Sequence, residues 1–207
     1  MIYLIQKDNL NVFFNLDYKF TEQTLPKILI VFICAIGLIL INLFFTIAIY
    51  IEILGNNLPS IKEKEVSLLV ISGIFVYSII EELLFRKALI DYFKGKYSTT
   101  KSLMFSSLLF AFMHIFTDSS LLITFIAGLV FGYVYLKFNN VLFSILAHLI
   151  VNFSILFFST NIIKYGILLN DIGAPFYLFF IIGVLFLLIF KRLVDKYNRH
   201  KPLNPAD

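Results

Sequence analysis

The stretch that decides the fold of this chain lies at the end of an apolar run and reads Ile79-Ile80-Glu81-Glu82-Leu83-Leu84-Phe85-Arg86. Ionised groups at membrane depth are costly unless they are paired or hydrated, so they mark a functional site. On a helix, Glu82 and Arg86 are four residues apart and share a face, whereas Glu81 points to a neighbouring face. One glutamate can therefore pair with the arginine while the other meets a second group. The alternative interpretation is a hydrated helix end, with Arg86 and Lys87 reaching the lipid headgroups.

The composition of the chain is that of a polytopic membrane protein. Of its 207 residues, 60% are hydrophobic and only 14% are charged, which excludes a water-soluble globular domain. A single cysteine, Cys34, excludes both a disulfide framework and a cysteine-ligated metal site. Basic residues are scattered between the apolar runs, so the net charge of +4 reflects membrane topology and indicates no nucleic-acid partner.

Apolar runs predict an all-α transmembrane bundle with about six spans. The runs cover residues 28–51, 66–93, 102–116, 121–136, 141–158 and 172–190. They divide the chain into four parts. These are an interfacial or partly inserted segment (1–27), a first span with its polar link (28–65), a core (66–158) and a last span with a basic tail (159–207). In the fourth run, Gly128 and Gly132 are four residues apart, a spacing that permits close helix packing.

Charge distribution predicts the orientation of the chain in the membrane. An even number of spans places both termini on one side. Most lysines and arginines lie in the N-terminal segment, in the loop after the acidic motif and in the tail, so these parts are predicted to be cytoplasmic. Abundant Phe, Ile, Asn and Lys, with no targeting segment, indicate a multi-pass protein of a bacterial plasma membrane.

Polar residues concentrate in three of the predicted spans: Glu81, Glu82, Arg86, His114, His148 and Asn152. A single histidine in a span is more often a packing residue, but two histidines beside an acidic pair favour a shared polar cavity. Such a cavity suits peptide-bond hydrolysis, because a carboxylate or histidine can accept a proton from water while donors stabilise the oxyanion. The chain has no His-Glu-x-x-His motif and no Gly-x-Ser-x-Gly motif, and Asp91, near the end of the second run, is the single aspartate in a predicted span, so a zinc peptidase, a serine hydrolase and an aspartyl dyad are excluded.

Three motifs follow one another on successive spans: Glu81-Glu82-x-x-x-Arg86, Phe110-x-x-x-His114 and His148-x-x-x-Asn152. Their order resembles that of the CPBP intramembrane proteases, a family that includes the eukaryotic CAAX prenyl endopeptidases and bacterial relatives linked to bacteriocin processing and self-immunity. The resemblance covers roughly residues 66–158. It implies a helical bundle with a conical, water-filled cavity open to the cytoplasm.

This resemblance also implies roles for the motif residues. Glu81 and His114 would activate the attacking water, and His148 and Asn152 would stabilise the oxyanion. Nothing in the sequence identifies a groove for a prenyl group, so the implied substrate is a membrane-associated peptide or protein and not specifically a CAAX sequence.

The resemblance further implies that Glu82 and Arg86 orient Glu81 and hold the helix. The need for a metal stays open at the level of sequence. Relatives are often called metalloproteases, and a divalent metal such as zinc would be held by Glu81, His114 and His148. A glutamate-dependent mechanism without a tightly bound metal fits the same residues equally well.

The leading hypothesis from sequence is therefore an intramembrane endopeptidase that works within membrane lipid on a peptide or membrane-protein substrate. A second hypothesis is a membrane interaction protein that confers bacteriocin immunity or regulates a sensor kinase without proteolysis. A third is a proton- or ion-coupled transporter, since buried Glu, His and Arg also form proton relays. The transporter hypothesis predicts inverted repeats, and the sequence has none.

Overall fold

A computed structural model describes residues 24–54, 67–115, 120–171 and 176–199. This part of the chain contains no strand and folds into six helices: α1 Thr24–Leu54, α2 Leu68–Lys94, α3 Thr99–Met113, α4 Leu121–Phe138, α5 Val141–Asp171 and α6 Leu178–Arg199. The predicted all-α class is confirmed. Within these residues, three helices are long and apolar enough to cross a membrane, over Thr24–Ala48, Leu68–Lys94 and Leu121–Phe138. A count of six spans, and an opening toward the cytoplasm, stay predictions.

Some predicted segments lie outside the described residues, and two helices are longer than predicted. Residues 1–23 of the predicted interfacial segment and the polar link at 55–66 are not described. Helix α5 continues to Asp171 instead of ending near residue 158. Helix α6 continues through the first part of the basic tail to Arg199. This extension is helical because its apolar residues recur every three or four positions and pack on the core, as Phe190 and the fully buried Val194 show.

The main apolar core is built by α1, α4, α5 and α6, while α2 packs against α5 and α3 packs against both α2 and α4. Small residues permit the closest approaches. A Cβ atom at Gly128 would lie 3.2 Å from the Cα of Ser107 on α3, and one at Gly132 would collide with the Leu103 side chain. The predicted close packing at these two glycines is therefore confirmed. It draws α3 onto α4 and so fixes the end of α3 where His114 lies.

A tight turn sets the register of α5 against α4. Asn139 adopts a left-handed conformation (φ 49°), which asparagine tolerates better than most residues. The Oδ1 atom of Asn140 then accepts a hydrogen bond of 2.8 Å from the backbone N–H of Leu142, satisfying one of the free donors at the start of α5. Because the turn is this short, α5 runs back along α4 at once, and the site residues of α5 begin one turn later at Ser144.

Helix α2 changes its geometry immediately after the two glutamates. Residues Leu83–Ile90 form a π-helix, in which backbone hydrogen bonds span five residues instead of four. Such segments are rare and frequently lie at functional sites. The Ser106 hydroxyl of α3 donates a hydrogen bond of 2.5 Å to the carbonyl of Phe85 within this segment. The π-helix is therefore tied to α3 on the side where Arg86 is buried.

Candidate active site

All six residues singled out from the sequence lie around one site between α2, α3 and α5. Glu81, Glu82 and Arg86 come from α2, His114 caps the end of α3, and His148 and Asn152 come from α5. The two carboxylates, although adjacent in sequence, have different surroundings. One is enclosed by partners and the other faces open space.

Glu82 is completely buried and is held by three side chains. Its Oε2 atom lies 3.0 Å from Nε of Arg86 and accepts a short hydrogen bond from the Ser144 hydroxyl. Its Oε1 atom lies 2.9 Å from Nδ1 of His148. A buried carboxylate is tolerated when it is paired and hydrogen-bonded in this way. That Glu82 and Arg86 orient Glu81 stays a prediction; in the structure Glu82 contacts His148, whose Nε2 atom in turn faces Glu81.

Glu81 is partly exposed and faces both histidines. Its Oε2 atom is 3.6 Å from Nε2 of His148, and its Oε1 atom is 4.0 Å from Nε2 of His114. Both separations are too long for a direct hydrogen bond, and a water beside either pair can contact both of its atoms. Glu81 is thus the carboxylate placed to act on a small molecule between itself and the histidines.

Each histidine is fixed through its Nδ1 atom, which leaves Nε2 directed toward Glu81. Nδ1 of His114 lies 2.8 Å from the carbonyl oxygen of Phe110, a carbonyl left without an intrahelical donor at the end of α3. A carbonyl only accepts, so Nδ1 of His114 carries the hydrogen. Nδ1 of His148 similarly donates to Glu82. Nδ1 of each histidine is therefore held by a neighbouring protein group, and Nε2 is the ring nitrogen that faces the site.

Arg86 is buried in an aromatic cage instead of reaching the headgroups. Its guanidinium lies 4.5 Å from the ring centre of Phe110 and 5.9 Å from those of Phe85 and Phe131. Arg86 is fully inaccessible to solvent, and within the described residues its two Nη atoms have no hydrogen-bond partner. The interpretation of this stretch as a hydrated helix end is therefore wrong. Phe110 touches the arginine and also packs against His114, with 4.6 Å between ring centres.

Asn152 stands at the junction of two spaces. Its Nδ2 atom donates a hydrogen bond of 3.0 Å to the hydroxyl of the buried Ser78. Together with His114 and His148, it lines a partly enclosed cavity of about 90 Å³ between α1, α3, α4 and α5. It also lines, with His114 and Glu81, an open groove of about 360 Å³ along the first half of α2. A ligand that passes from the groove into the cavity must cross His114 and Asn152.

The side chains do not form a ready-made metal site. Across the described ranges of the chain, no group of three His, Cys, Asp or Glu side chains is arranged so that it could hold one metal ion. This includes Glu81, His114 and His148, the three ligands considered from sequence. The donors present do not fit the metal alternative, so no step below is derived through a metal.

Sequence reasoning missed the two serines of the site, although a signal for them exists. Ser78 is four residues before Glu82, and Ser144 is four residues before His148. Residues at this spacing lie on one helix face. The two resulting series, Ser78–Glu82–Arg86 on α2 and Ser144–His148–Asn152 on α5, meet along their lengths: Ser78 with Asn152, Glu82 with His148, and Glu82 with Ser144. We call this contact the polar seam.

Fold and site together define a membrane-embedded helical protein with a buried glutamate–histidine site. Comparison with known families is specific: the family model described as Type II CAAX prenyl endopeptidase Rce1-like matches residues 63–154. This segment contains all six motif residues, and the match supports a CAAX protease-like family. The match leaves out α1 and α6. No curated protein and no solved structure matches the chain significantly.

Proposed function

We propose that this protein is an intramembrane endopeptidase in which Glu81 activates a water molecule to hydrolyse a peptide bond of a membrane-associated substrate. The observation that carries the proposal is the position of Glu81, which faces Nε2 of His114 and of His148 at 4.0 and 3.6 Å. Since both imidazoles are fixed through Nδ1, these three groups surround a space that suits one water and one carbonyl group.

Hydrolysis begins at the gap between Glu81 and His114. A water bridging their facing atoms gives one proton to the Glu81 carboxylate while it donates its second hydrogen to Nε2 of His114. Its oxygen attacks the carbonyl carbon of the scissile bond as the proton leaves. The protonated Glu81 then transfers that proton to the departing amine, which completes the cleavage without any other reactant. General acid–base assistance of this kind contributes about 10²- to 10⁴-fold to the rate.

The oxyanion is stabilised from α5. Asn152 uses one Nδ2 hydrogen for Ser78 and directs the other into the cavity, where it can bond the developing negative charge. His148 is the second group of α5 proposed to stabilise the oxyanion, because its Nε2 atom faces the same space, 3.6 Å from Oε2 of Glu81. Glu82 and Arg86 take no part in bond making, and they hold His148 in place. Donors that are prearranged around an oxyanion lower the barrier by about 3–4 kcal/mol each.

The exposure of helix α2 favours a substrate that approaches from within the membrane. Only 17% of the residues in its apolar window are buried, against 39% in the windows of α1 and α4. The open groove runs along this little-covered helix from Leu69 to Glu81 and is lined mainly by apolar side chains, with Gly73 providing its low floor. An apolar segment of a membrane-associated peptide fits this surface and would present a peptide bond to Glu81.

The test compares membranes that express matched amounts of the wild type, Glu81→Gln, His148→Ala and Asp91→Asn. Peptides released from the membranes are identified by mass spectrometry. Asp91 is the control, because it lies on the same helix but bonds Tyr135 and Lys87 outside the site. We expect a product with the wild type and Asp91→Asn that is lost with Glu81→Gln and His148→Ala.

Two results would count against this proposal. A product that persists with Glu81→Gln would remove Glu81 from the mechanism. A protective or signalling phenotype that survives Glu81→Gln, with no product in any membrane, would favour the non-proteolytic binding or immunity function. A chelator arm is included, and product loss there would add a metal to the reaction.

A further inference from the structure

Asn42 is a polar residue of the site that none of the motifs includes. It lies within α1, in the middle of an uncharged apolar run. Helix α1 is outside the segment matched by the family model, so the match assigns Asn42 no role. Its amide nonetheless lines the partly enclosed cavity, whose walls also include His114, His148 and Asn152.

The side-chain amide of Asn42 has no hydrogen-bond partner among the described residues. The Thr46 hydroxyl, one turn later, donates its hydrogen bond of 2.8 Å to the backbone carbonyl of Asn42 and not to the amide. An unpaired amide in an apolar, membrane-spanning helix is unfavourable. Polar side chains persist in such helices where they face a cavity or a ligand, and Asn42 faces the cavity that adjoins the oxyanion donors.

The side chains that line the cavity limit which groups can bind the Asn42 amide. Apolar side chains supply much of the lining, among them Leu38, Ile123, Ala127, Val151 and Ile155. A cavity volume of about 90 Å³ limits the occupant to one small residue with its peptide group. A peptide group in such a place needs partners for its own N–H and C=O, and a primary amide offers one donor group and one acceptor.

We propose that Asn42 binds the backbone of the substrate residue that enters the cavity next to the scissile bond. The inference rests on the proposed endopeptidase function and deepens it. Asn42 would act as a substrate-binding residue: its Nδ2 donates to the substrate carbonyl and its Oδ1 accepts from the substrate N–H. Since this contact is the same before and during the reaction, it contributes to KM and leaves kcat almost unchanged.

The experiment uses the purified full chain and a synthetic peptide spanning the cleavage site that the membrane comparison identifies. The variants are Asn42→Leu, which keeps the size of the side chain but removes the amide, and Asn42→Ala, which adds no bulk should leucine disturb packing. Thr46→Val is the matched control, because it also makes α1 more apolar but lies outside the cavity wall. We expect KM to rise about 5- to 10-fold for both Asn42 variants and to stay at the wild-type value for Thr46→Val.

A second substrate tests the contact directly. In a set of analogues, each amide other than the scissile one is replaced by an ester, which removes one N–H at a time. One analogue should lack the N–H that Asn42 binds. With that analogue, the KM of the wild type should rise by the same factor as Asn42→Leu causes with the amide substrate, and the KM of Asn42→Leu should not rise further. A purely structural role of Asn42 would not abolish this difference between amide and ester.

The outcomes separate the two proposals. Cleavage with an unchanged KM in both Asn42 variants would overturn this inference and leave the endopeptidase function standing. An ester penalty that is equal in the wild type and Asn42→Leu would do the same. Absence of any cleavage by the wild type would overturn the endopeptidase function and this inference with it.

Discussion

Two helix contacts in this protein use opposite means to join apolar helices. At the polar seam between α2 and α5, hydrogen bonds link Ser78 and Glu82 to the facing series, and Arg86 forms an ion pair with Glu82 within α2. Where α1 meets α6, Gly37 and Gly183 bring the backbones together, and a Cβ at Gly183 would lie 2.9 Å from the carbonyl oxygen of Gly37. We call this second contact the glycine seam.

The difference shows what each contact is for. Van der Waals packing at small residues is sufficient to hold two membrane helices together, so the glycine seam needs no polar group. The polar seam carries the additional cost of burying Glu82 and Arg86. That cost is understandable if the seam positions His148 and Asn152 for chemistry. Changes in the polar seam should therefore affect activity as well as stability, whereas changes in the glycine seam should affect stability alone.

The largest expected effect is that of Arg86→Met. It leaves the buried Glu82 without its cation, which should cost about 3–5 kcal/mol of stability, measured by thermal unfolding in detergent micelles. Adding Glu82→Leu should restore part of this stability without restoring activity, since His148 has then lost its partner. Lys87→Met is the control and should change stability by less than about 0.5 kcal/mol, because its ion pair with Asp91 is partly exposed. Equal losses at positions 86 and 87 would contradict the role given to the buried ion pair.

Ser144→Ala should follow. It removes a hydroxyl that donates to the buried carboxylate of Glu82, and hydrogen bonds to charged groups contribute about 1.5–3 kcal/mol. Activity should fall too, because Glu82 then holds His148 less firmly. Ser107→Ala is the matched control, as this buried hydroxyl bonds only the carbonyl of Leu103 on its own helix. Equal losses of stability in the two alanine variants would mean that the hydrogen bond across the polar seam contributes no more than one within a single helix.

Gly183→Leu probes the glycine seam between α1 and α6. A side chain there meets the backbone of α1, with the Ile41 nitrogen at 3.1 Å from the added Cβ, and overpacking of this kind costs about 1–3 kcal/mol. Gly73→Leu is the control for stability, because a Cβ at that position meets nothing closer than the Tyr77 ring at 3.7 Å. The kcat of the folded Gly183→Leu protein should equal that of the wild type. A lowered kcat would mean that the glycine seam also positions the site.

Ser78→Ala should have the smallest effect on stability, about 1 kcal/mol for one neutral hydrogen bond. It leaves the Asn152 amide in place but without its anchor, so kcat should fall less than with Asn152→Ala, which removes the proposed oxyanion donor itself. Both variants are compared by kcat and by thermal midpoint. A greater loss of kcat with Ser78→Ala than with Asn152→Ala would assign the donor role to the serine.

Much of this architecture could be predicted from local patterns. The apolar runs predicted the helices, and the four-residue spacing of Glu82 and Arg86 predicted their ion pair, which the structure confirms at 3.0 Å. The same spacing would have identified Ser144 had it been applied backwards from His148. The π-helical segment at Leu83–Ile90 had no such signal, because its residues are ordinary helix formers.

The sequence by itself determined the membrane-helical class, the match to the Rce1-like family model over residues 63–154 and the set of polar groups that a bilayer would not tolerate singly. These follow from composition and short-range periodicity, which depend on neighbouring residues alone. Only the tertiary structure decided which glutamate is buried, that Glu82 holds His148, and that Asn42 from α1 faces the same cavity. Such contacts join residues far apart in the chain, and their geometry is set by how the helices pack and not by the residues' spacing in sequence.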